Sequence, residues 1–287
     1  MGHQDSTKKQ VLLLGSGGVG TIGALNLEAG GQASVTAVLS SPTVVDLIAP
    51  AVVPGRTVIV LIQNGLNIEK PIFEKFPDNI CLSGVSMIGS HEVSHGVIEH
   101  EYPDELILGA FHNPRLDEKQ EEATAKQFVE MYAAGGKTTC TFAENVPYGR
   151  WRKLIYNACL NSICGLTGLD SGRIRLANDA VATLVRPAME EIRAAAAAAG
   201  VQLEADICDF MIDLDPLTMY LSPSMLVDVQ KGNLTEVENL VGEPLRTGTA
   251  LGVPMPTLSV VYNLLKAMQW HTMEKKGKVT IPARTEN

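Results

Sequence analysis

The stretch WRKLIYNACLN (151–161) is mostly apolar, yet it carries one ammonium and two amides at intervals of four residues: Lys153, Asn157 and Asn161. Residues four apart in a helix lie one above another, so these side chains are predicted to form a single polar stripe. Such a stripe could hold a polar ligand, because the ammonium donates hydrogen bonds and each amide both donates and accepts them. The alternative is the solvated edge of an amphipathic helix. Asparagine is a poor helix former, and an exposed edge would more naturally carry Glu, Gln or Lys.

A second group of polar side chains lies in SPSMLVDVQKGNLTEVENLVG (222–242). Its proline and serines predict a helix start near Ser222 and Ser224, and Asn233 is expected to cap a later helix that bears Glu236. Taken alone, this segment indicates no more than two linked surface helices.

Asn64 is a third candidate, because it follows the apolar run RTVIVLIQ and precedes Gly65. An Asn-Gly pair usually forms a tight turn and nothing more. The run is predicted to be a buried parallel strand, however, and open α/β sheets bind ligands at the carboxyl ends of such strands.

The segment QVLLLGSGGVGTIGALNLEAGG (10–31) has the pattern of a strand, a glycine-rich turn and a helix. On the turn, Gly15, Gly17 and Gly20 are spaced as G-x-G-x-x-G. In this context the spacing predicts a dinucleotide site, since the glycines let the backbone approach a pyrophosphate that the free N–H groups of the helix N-terminus would bind. The alternative is a chance glycine turn. The candidate cofactor-binding residues of the turn are Gly15, Ser16, Gly17, Gly18, Val19 and Gly20.

The next predicted strand, ASVTAVLS (33–40), ends where an NAD enzyme would place an acidic residue to bind the ribose. Ser40 and Ser41 occupy that place. The absence of an acid favours NADP, although the arginine expected for its 2′-phosphate is also missing.

Strands and helices alternate along the first half of the chain, and the alternation stops near residue 146. From Pro147 onward the pattern is almost continuously helical, and the alanine run 194–199 indicates close helix packing. We expect an α/β Rossmann-type nucleotide-binding domain over 8–146 and an all-α domain for substrate binding and dimerisation over 147–287.

The composition is that of an ordinary globular protein: of 287 residues, 45% are hydrophobic and 19% are charged. No apolar run approaches the length of a membrane span, and the net charge of −9 opposes broad binding to nucleic acid or to an anionic membrane. The five cysteines are odd in number and lack paired metal-type spacing, and the first ten residues lack an apolar signal stretch. We therefore expect reduced thiols, no metal site and a cytoplasmic location.

Together these motifs resemble the ketopantoate reductase (2-dehydropantoate 2-reductase) family. The resemblance extends over nearly the whole chain, through the glycine turn at 15–20, QNG at 63–65, and the segments 151–161 and 222–242. The last two segments are the specific ones, since their internal spacings match those of the family.

The resemblance implies a role for each candidate residue. Lys153 corresponds to the catalytic lysine, and Glu236 to the glutamate that positions the substrate beside the cofactor. Asn64 corresponds to the loop asparagine near the nicotinamide end of the cofactor. The positions that hold the hydroxyl and carboxylate of the substrate correspond to Asn157, Asn161 and Ser224.

The family also implies a Rossmann domain followed by a helical domain like the C-terminal domain of 6-phosphogluconate dehydrogenase. Hydride transfer to a ketone creates an alkoxide that needs a proton, and a lysine whose pKa is lowered by partial burial suits that role. The expected activity is NADPH-dependent reduction of a small 2-keto acid, most simply ketopantoate to pantoate in pantothenate biosynthesis. The polar stripe would then line a cleft between the two domains.

Two alternatives stay open. One is a related NADPH reductase of another ketone or imine, and the other is a non-catalytic NADP-binding sensor, which would need only the glycine turn. The expected partner is the keto-acid substrate, and a homodimer through the helical half is compatible with the sequence.

The chain departs from the family pattern between Ser40 and Ser41. The family has a further strand there, which ends in a lysine that contacts the cofactor, whereas here VTAVLS meets SPTVVDL directly. Losing a central strand of a parallel sheet would expose its neighbours. Either the protein has a deletion here or the sequence omits a stretch that the molecule contains. We favour omission, which predicts that the carbonyl carbon of Ser40 and the nitrogen of Ser41 lie farther apart than the ~1.33 Å of a peptide bond.

Overall fold

The structure is a computed structural model, and it describes residues 8–14, 18–38, 44–94, 96–100, 103–282 and 285. The chain divides into two compact units. The first comprises Met1–Gln63 and Ile68–Val146, and the second comprises Asn64–Asn67 and Pro147–Asn287. The four residues after Gln63 thus belong with the second unit, although the stretches on both sides of them belong to the first.

The first unit is built from alternating strands and helices. Its elements are β1 (Lys9–Leu14), α1 (Gly18–Ala29), β2 (Ala33–Val38), α2 (Val44–Ile48), β3 (Ile59–Leu61), α3 (Lys70–Lys75), β4 (Cys81–Met87), β5 (Ser90–Ser94), β6 (Val97–His100), β7 (Asp104–Ala110), α4 (Glu118–Ala133) and β8 (Thr138–Phe142). A 3₁₀ turn over Ala49–Ala51 continues α2.

The strands form three hydrogen-bonded sets: β1 with β2, the four strands β3-β4-β7-β8, and the hairpin β5-β6. The pairs β1/β2, β3/β4 and β7/β8 are parallel, whereas β4/β7 is antiparallel, so the larger sheet is mixed. The β5 sequence, SHEVS, is polar and lacks apolar alternation, which is why the sequence patterns do not predict this strand.

Two apolar clusters hold the first unit together. The larger packs α1 and α4 against the strands around Leu27, Leu82 and Tyr132. The smaller surrounds Ile59 of β3 and Ile72 of α3. The first six residues of β4 are all buried, as expected for a central strand covered on both faces.

The predicted interruption between Ser40 and Ser41 lies outside the described residues, and so does the expected separation of their backbone atoms. On either side of it, β2 ends at Val38 and α2 begins at Val44. In the described part of the chain β1 has only β2 as a ladder partner. Leu12, in the middle of β1, is 42% exposed.

The second unit is all helical. Its α-helices are α5 (Val146–Leu154), α6 (Ser162–Thr167), α7 (Ser171–Leu176), α8 (Arg186–Ala198), α9 (Ile207–Ile212), α10 (Ser224–Gln230), α11 (Glu243–Ala250) and α12 (Pro256–Lys275). Shorter helical stretches lie between them: the π-helices Ile155–Asn161, Val181–Val185 and Glu238–Gly242 and the 3₁₀ turn Leu217–Met219. An α/β unit followed by an all-α unit confirms the predicted fold class.

One large apolar cluster fills the second unit. Ala195 and Ala196, in the alanine run, are fully buried. A Cβ added to Gly248 of α11 would meet the Cβ of Ala195 at 2.9 Å. Small residues thus let α8 and α11 approach closely, as the alanine run predicts.

All five cysteines are free thiols, and four of them are buried. Among the described helices, none combines the length and the apolar character that a membrane crossing requires.

Candidate active site

Lys153 lies in the last turn of α5, and Asn157 and Asn161 lie in the π-helical stretch that continues it. The apolar side chains between them are buried in the core, which fixes the side of the helix that the polar residues occupy. Asn157 is 8% exposed and Asn161 is 1% exposed, while Lys153 is partly buried. The alternative of a solvated helix edge is therefore wrong.

The backbone here is wider than the α-helix that the sequence predicts, because residues 155–161 form a π-helix. The hydroxyl of Ser162 donates to the carbonyl oxygen of Asn157 at 3.1 Å. A π-helical stretch is rare and occurs frequently at functional sites. Within the described residues the Asn157 amide has no protein hydrogen-bond partner, so its donors and acceptor are available to a ligand.

Unlike the Asn157 amide, the Asn161 amide forms hydrogen bonds within the described part of the protein. Its Nδ2 donates to the Ser224 hydroxyl at 3.1 Å, and its Oδ1 accepts from the backbone N–H of Met225 at 2.9 Å. The amide thus caps the start of α10, which begins at Ser224 as the sequence predicts. Asn161 fixes the position of Ser224, whose side chain is exposed and remains able to donate a hydrogen bond.

The segment Asn64–Asn67 is held to the second unit by backbone and side-chain bonds. Leu66 N–H donates to the carbonyl oxygen of Asn239 at 2.9 Å, and Asn239 Nδ2 donates back to the Leu66 carbonyl oxygen at 3.2 Å. Gly65 has φ +103°, and a Cβ there would lie 2.5 Å from the Asn239 Cβ. Only glycine fits this position, both for its backbone conformation and for the space available.

Asn64 joins the two ionisable candidates. Lys153 Nζ donates to Asn64 Oδ1 at 2.7 Å, and Asn64 Nδ2 donates to Glu236 Oε2 at 3.2 Å. An ammonium, an amide and a carboxylate thus form one continuous chain of hydrogen bonds. Its donors all point from Lys153 toward Glu236, so a proton at Lys153 lies at one end of an ordered polar network.

The charges in this chain are shifted by their surroundings. Packed protein atoms desolvate the ammonium and lower the pKa of Lys153 from 10.5 to about 8, although Glu236 opposes the shift. Desolvation also raises the pKa of the Glu236 carboxyl, against the effect of the Asn64 hydrogen bond and the Lys153 charge. Glu236 as a whole residue is exposed, so its desolvation is local to the carboxyl group. Both shifts bring the groups closer to neutral pH.

Glu236 lies directly before the helix that continues as Glu238–Gly242, and its carbonyl oxygen accepts from Leu240 N–H at 3.0 Å. The expectation that Asn233 caps a helix bearing Glu236 is therefore wrong. Asn233 instead contacts Asp228 at the end of α10, through its N–H at 2.8 Å and its side chain at 3.2 Å. The physical reason is that Asn233 forms its hydrogen bonds within the turn that follows α10, so its side chain does not cap the next helix.

Three of the six residues predicted in the glycine turn are described. Gly18, Val19 and Gly20 form the first turn of α1, while Gly15, Ser16 and Gly17 lie outside the described residues. β1 ends at Leu14 and pairs in parallel with β2. A strand and then a helix beginning at Gly18 are observed in the predicted order, while the predicted turn between them lies outside the described residues. Within the described residues, no three His, Cys, Asp or Glu side chains lie together as metal ligands.

Sequence reasoning missed two residues of this region, Arg150 and Asn239. Arg150 is 5% exposed, and its Nη1 donates to the Gly65 carbonyl oxygen at 2.9 Å. Its place three residues before Lys153 is a signal that could have identified it, because residues three apart lie on one side of a helix. Asn239 gives no such signal, since it meets Leu66 from 173 residues away in the chain.

The chain is similar in sequence to known proteins. Two family models match the chain: "Ketopantoate reductase PanE/ApbA" over residues 43–113, and "Ketopantoate reductase PanE/ApbA C terminal" over residues 145–269. Together the matches cover more than half of the chain and include all six residues from Asn64 to Glu236 that the motifs single out.

Relatives and solved structures agree with the models. An uncharacterized protein of Saccharomyces cerevisiae is 37% identical over 240 residues, which are 80% of this chain and 65% of that protein. A 2-dehydropantoate 2-reductase of Nostoc is 25% identical over 236 residues, 81% of this chain and 71% of the relative. The matched region thus spans about two thirds of the length of these relatives. The crystal structure of 2-dehydropantoate 2-reductase from Methylococcus capsulatus is 28% identical, with a TM-score of 0.74 over 92% of this chain and 97% of its own. The chain belongs to the ketopantoate reductase family.

Proposed function

We propose that the chain is an NADPH-dependent reductase of a small 2-keto acid, with ketopantoate, reduced to pantoate, as the simplest substrate. The observation that carries the proposal is Lys153, an ammonium whose pKa is lowered to about 8 and which Asn64 links to Glu236. A sensor that only binds NADP would have no use for this arrangement.

Lys153 is the proposed proton donor. Reduction of a ketone leaves a negative oxygen, and a general acid works best when its pKa lies near the working pH. With a pKa of about 8, Lys153 is mostly protonated at neutral pH and still gives up its proton readily. The negative charge of Glu236 favours the ammonium form, and Asn64 fixes the direction of the ammonium.

The amides and the hydroxyl are proposed to hold the substrate. Asn157 offers an amide with no protein partner in the described structure, on the same side of the helix as Lys153. Ser224 offers an exposed hydroxyl that Asn161 keeps in place. These groups donate hydrogen bonds without adding charge, which suits a substrate that carries both a hydroxyl and a carboxylate.

The start of α1 fits a dinucleotide. Two of its first three residues, Gly18 and Gly20, carry no Cβ that would stand in front of the backbone N–H groups, and such donors suit a pyrophosphate. When bound, the nicotinamide supplies the hydride. The preference for NADPH over NADH rests on Ser40 and Ser41, which lie outside the described residues.

Similarity to the family supports this proposal, since several relatives carry the name 2-dehydropantoate 2-reductase. A dimeric ketopantoate reductase of Staphylococcus aureus shares the fold at 19% identity. A place in pantothenate biosynthesis, a cytoplasmic location and a homodimer are parts of the same proposal.

The test is NADPH oxidation, followed at 340 nm with ketopantoate and with a panel of other 2-keto acids, ketones and imines. We expect turnover with ketopantoate that is strongly reduced in Lys153→Ala. Faster turnover of another compound would identify the protein as a related reductase with a different substrate. Failure to oxidise NADPH with any compound would contradict the proposal and leave the sensor alternative.

The cofactor preference is tested separately by isothermal titration of the purified protein with NADPH and with NADH. NADPH is expected to bind more tightly. Equal or tighter binding of NADH would contradict this part of the proposal without affecting the role of Lys153.

A further inference from the structure

Arg150 is a buried arginine that donates a hydrogen bond to a backbone carbonyl oxygen next to Asn64. It lies on α5, three residues before Lys153. It is 5% exposed, and its Nη1 donates to the carbonyl oxygen of Gly65 at 2.9 Å. Gly65 directly follows Asn64, whose amide lies between Lys153 and Glu236. A guanidinium is costly to bury, and it holds its hydrogen-bond donors in a rigid plane. Its bond to the Gly65 carbonyl oxygen therefore fixes the position of that peptide group.

We infer that Arg150 is a positioning residue that holds the segment Asn64–Asn67 so that the Asn64 amide stays between Lys153 and Glu236. The inference deepens the proposed reductase function and rests on it. Arg150 acts on the reacting groups through Asn64 and through its charge, without touching the substrate.

The other anchors of the segment leave this task to Arg150. Leu66 is fixed by one backbone bond to Asn239 and one bond from the Asn239 side chain, and Asn67 Nδ2 donates to Glu243 Oε2 at 2.5 Å. These bonds act on Leu66 and Asn67, which follow Gly65 in the chain, and none of them involves Asn64. Gly65 itself packs against Asn239. The Arg150 bond is the described side-chain hydrogen bond that acts on Gly65, the neighbour of Asn64 in the chain.

Arg150 also contributes a charge. Among the described charged groups, Glu236 raises the pKa of the Lys153 ammonium and Arg150 lowers it. Asp228 acts on Glu236 in turn. Removal of the Arg150 charge should therefore raise the pKa of Lys153 above about 8. The Arg150 side chain thus has two effects that can be separated by experiment: it places Asn64, and it lowers the pKa of Lys153.

The test compares Arg150→Met and Arg150→Lys with the control Arg152→Met. Arg152 lies on the same helix, but its guanidinium lies 4.9 Å from the Phe210 ring and its Nε lies 3.9 Å from Glu204. Steady-state kinetics are measured across pH with NADPH and the substrate that the unmodified protein reduces fastest. The activity of Arg152→Met should stay close to that of the unmodified protein.

For Arg150→Met we expect kcat/KM to fall about 10- to 100-fold, the range that loss of a charged hydrogen bond gives. Its activity should also persist to higher pH, because the Lys153 ammonium then loses its proton later. Arg150→Lys should lower kcat/KM, since a lysine cannot reproduce the geometry, but should keep the pH limit because the charge remains.

A second measurement is independent of turnover. Lys153 is labelled with acetic anhydride at a series of pH values, and the extent of labelling is read by mass spectrometry. The midpoint should lie near pH 8 in the unmodified protein and higher in Arg150→Met. If the unmodified protein reduces nothing, the proposed function fails while this titration still decides the charge effect of Arg150.

Unchanged kinetics and an unchanged labelling midpoint in folded Arg150→Met would overturn the inference, as would an equal loss in Arg152→Met. If Arg150→Met does not fold, as judged by circular dichroism, Arg150→Lys decides the matter. A loss of kcat/KM at an unchanged Tm supports the positioning role, and kinetics equal to those of the unmodified protein overturn it.

Discussion

Each unit contains a small cluster of hydrogen-bonded polar side chains, and the two clusters differ in what surrounds them. In the first unit, Asp104 Oδ2 accepts from Asn26 Nδ2 at 2.6 Å and from the Tyr132 hydroxyl at 2.9 Å. We call these three residues the Asp104 cluster. Asn26 lies on α1, Asp104 begins β7 and Tyr132 lies on α4, so the cluster joins three elements of the unit.

The members of the Asp104 cluster are closed to solvent, since none is more than 3% exposed. Burial raises the pKa of the Tyr132 hydroxyl well above its ordinary value. The Asn26 amide and the Tyr132 hydroxyl both find their acceptor inside the protein, and buried hydrogen bonds of this kind rigidify the elements that they join. The Asp104 cluster therefore stabilises the fold, and its burial keeps it from a ligand.

The Lys153 cluster, formed by Lys153, Asn64 and Glu236, has the same kinds of bonds in a more open setting. Its members are partly buried or exposed, and the pKa values of its two ionisable groups are shifted toward neutral pH. Groups of this kind can exchange protons and ligands, and perturbed pKa values are common at functional sites. The comparison predicts that the Lys153 cluster supports activity and the Asp104 cluster supports stability.

The largest expected effect is on turnover in Lys153→Ala. Loss of a positioned general acid should lower kcat by roughly 10²–10⁴-fold. Thermal stability and NADPH affinity should change little, because the glycine turn belongs to the first unit and binds through backbone groups. Lys153→Arg should rescue poorly, since a guanidinium keeps its proton at any working pH. Steady-state kinetics with a fluorescence titration of NADPH test this, and activity within a few-fold of the unmodified protein would refute the role of Lys153.

Asp104→Ala should show the opposite behaviour. It leaves the buried donors of Asn26 and Tyr132 without an acceptor, so the free energy of unfolding should fall by about 2–4 kcal/mol. In the folded protein kcat should stay within about twofold of that of the unmodified protein, because the buried network does not contact a ligand. Urea denaturation and kinetics on the same sample measure both quantities.

A matched control for this substitution is Asp78→Ala. Its carboxylate is exposed and lies 4.0 Å from Arg115, so the free energy of unfolding should change by less than about 0.5 kcal/mol. A comparable loss in both variants would show that the buried network contributes nothing special.

The sequence predicts the Lys153 cluster in part, because some of its signals are local. The four-residue spacing from Lys153 to Asn161 is a property of one helix, and the proline and serines before α10 predict its start correctly. Hydrogen bonds across the chain have no such signal. Lys153 and Asn64 lie 89 residues apart, and only the folded protein shows that the Asn64 segment belongs with the second unit.

The Asp104 cluster has no sequence signal at all. Asn26 and Asp104 lie 78 residues apart, and an aspartate at the start of a strand is ordinary. The π-helix at 155–161 is missed for a different reason: a residue and its fourth neighbour stay on the same side in both kinds of helix, so the apolar pattern fits either. A sequence pattern predicts which face of a helix or strand is buried. The hydrogen-bond partners of a side chain and the width of a helix depend instead on how the folded chain packs.

Glu236→Gln should have an intermediate effect that sharpens the contrast. The variant keeps the shape of the side chain but removes its negative charge, so kcat should fall and KM should rise, by about tenfold together in kcat/KM. Because the Glu236 charge raises the pKa of Lys153, its removal should lower that pKa below about 8. The ammonium is the active form below its pKa, so activity should decline at lower pH than in the unmodified protein. A pH profile of kcat/KM measures the shift, and an unchanged profile would show that Glu236 does not act on Lys153.

Among the substitutions within the two clusters, Tyr132→Phe has the smallest expected effect, and the dependence of this effect on Asp104 is the sharper test. In the otherwise unmodified chain, loss of the hydroxyl removes one hydrogen bond to Asp104 and should lower the free energy of unfolding by about 1 kcal/mol. In an Asp104→Ala background the same hydroxyl is a buried donor without its acceptor, so its removal should be neutral or stabilising. Urea denaturation of the four proteins of this double-mutant cycle gives the coupling energy, and kcat should be unaffected by Tyr132→Phe. Additive effects would mean that the Tyr132–Asp104 bond contributes nothing to stability, and the closed cluster would then lose the role that separates it from the Lys153 cluster.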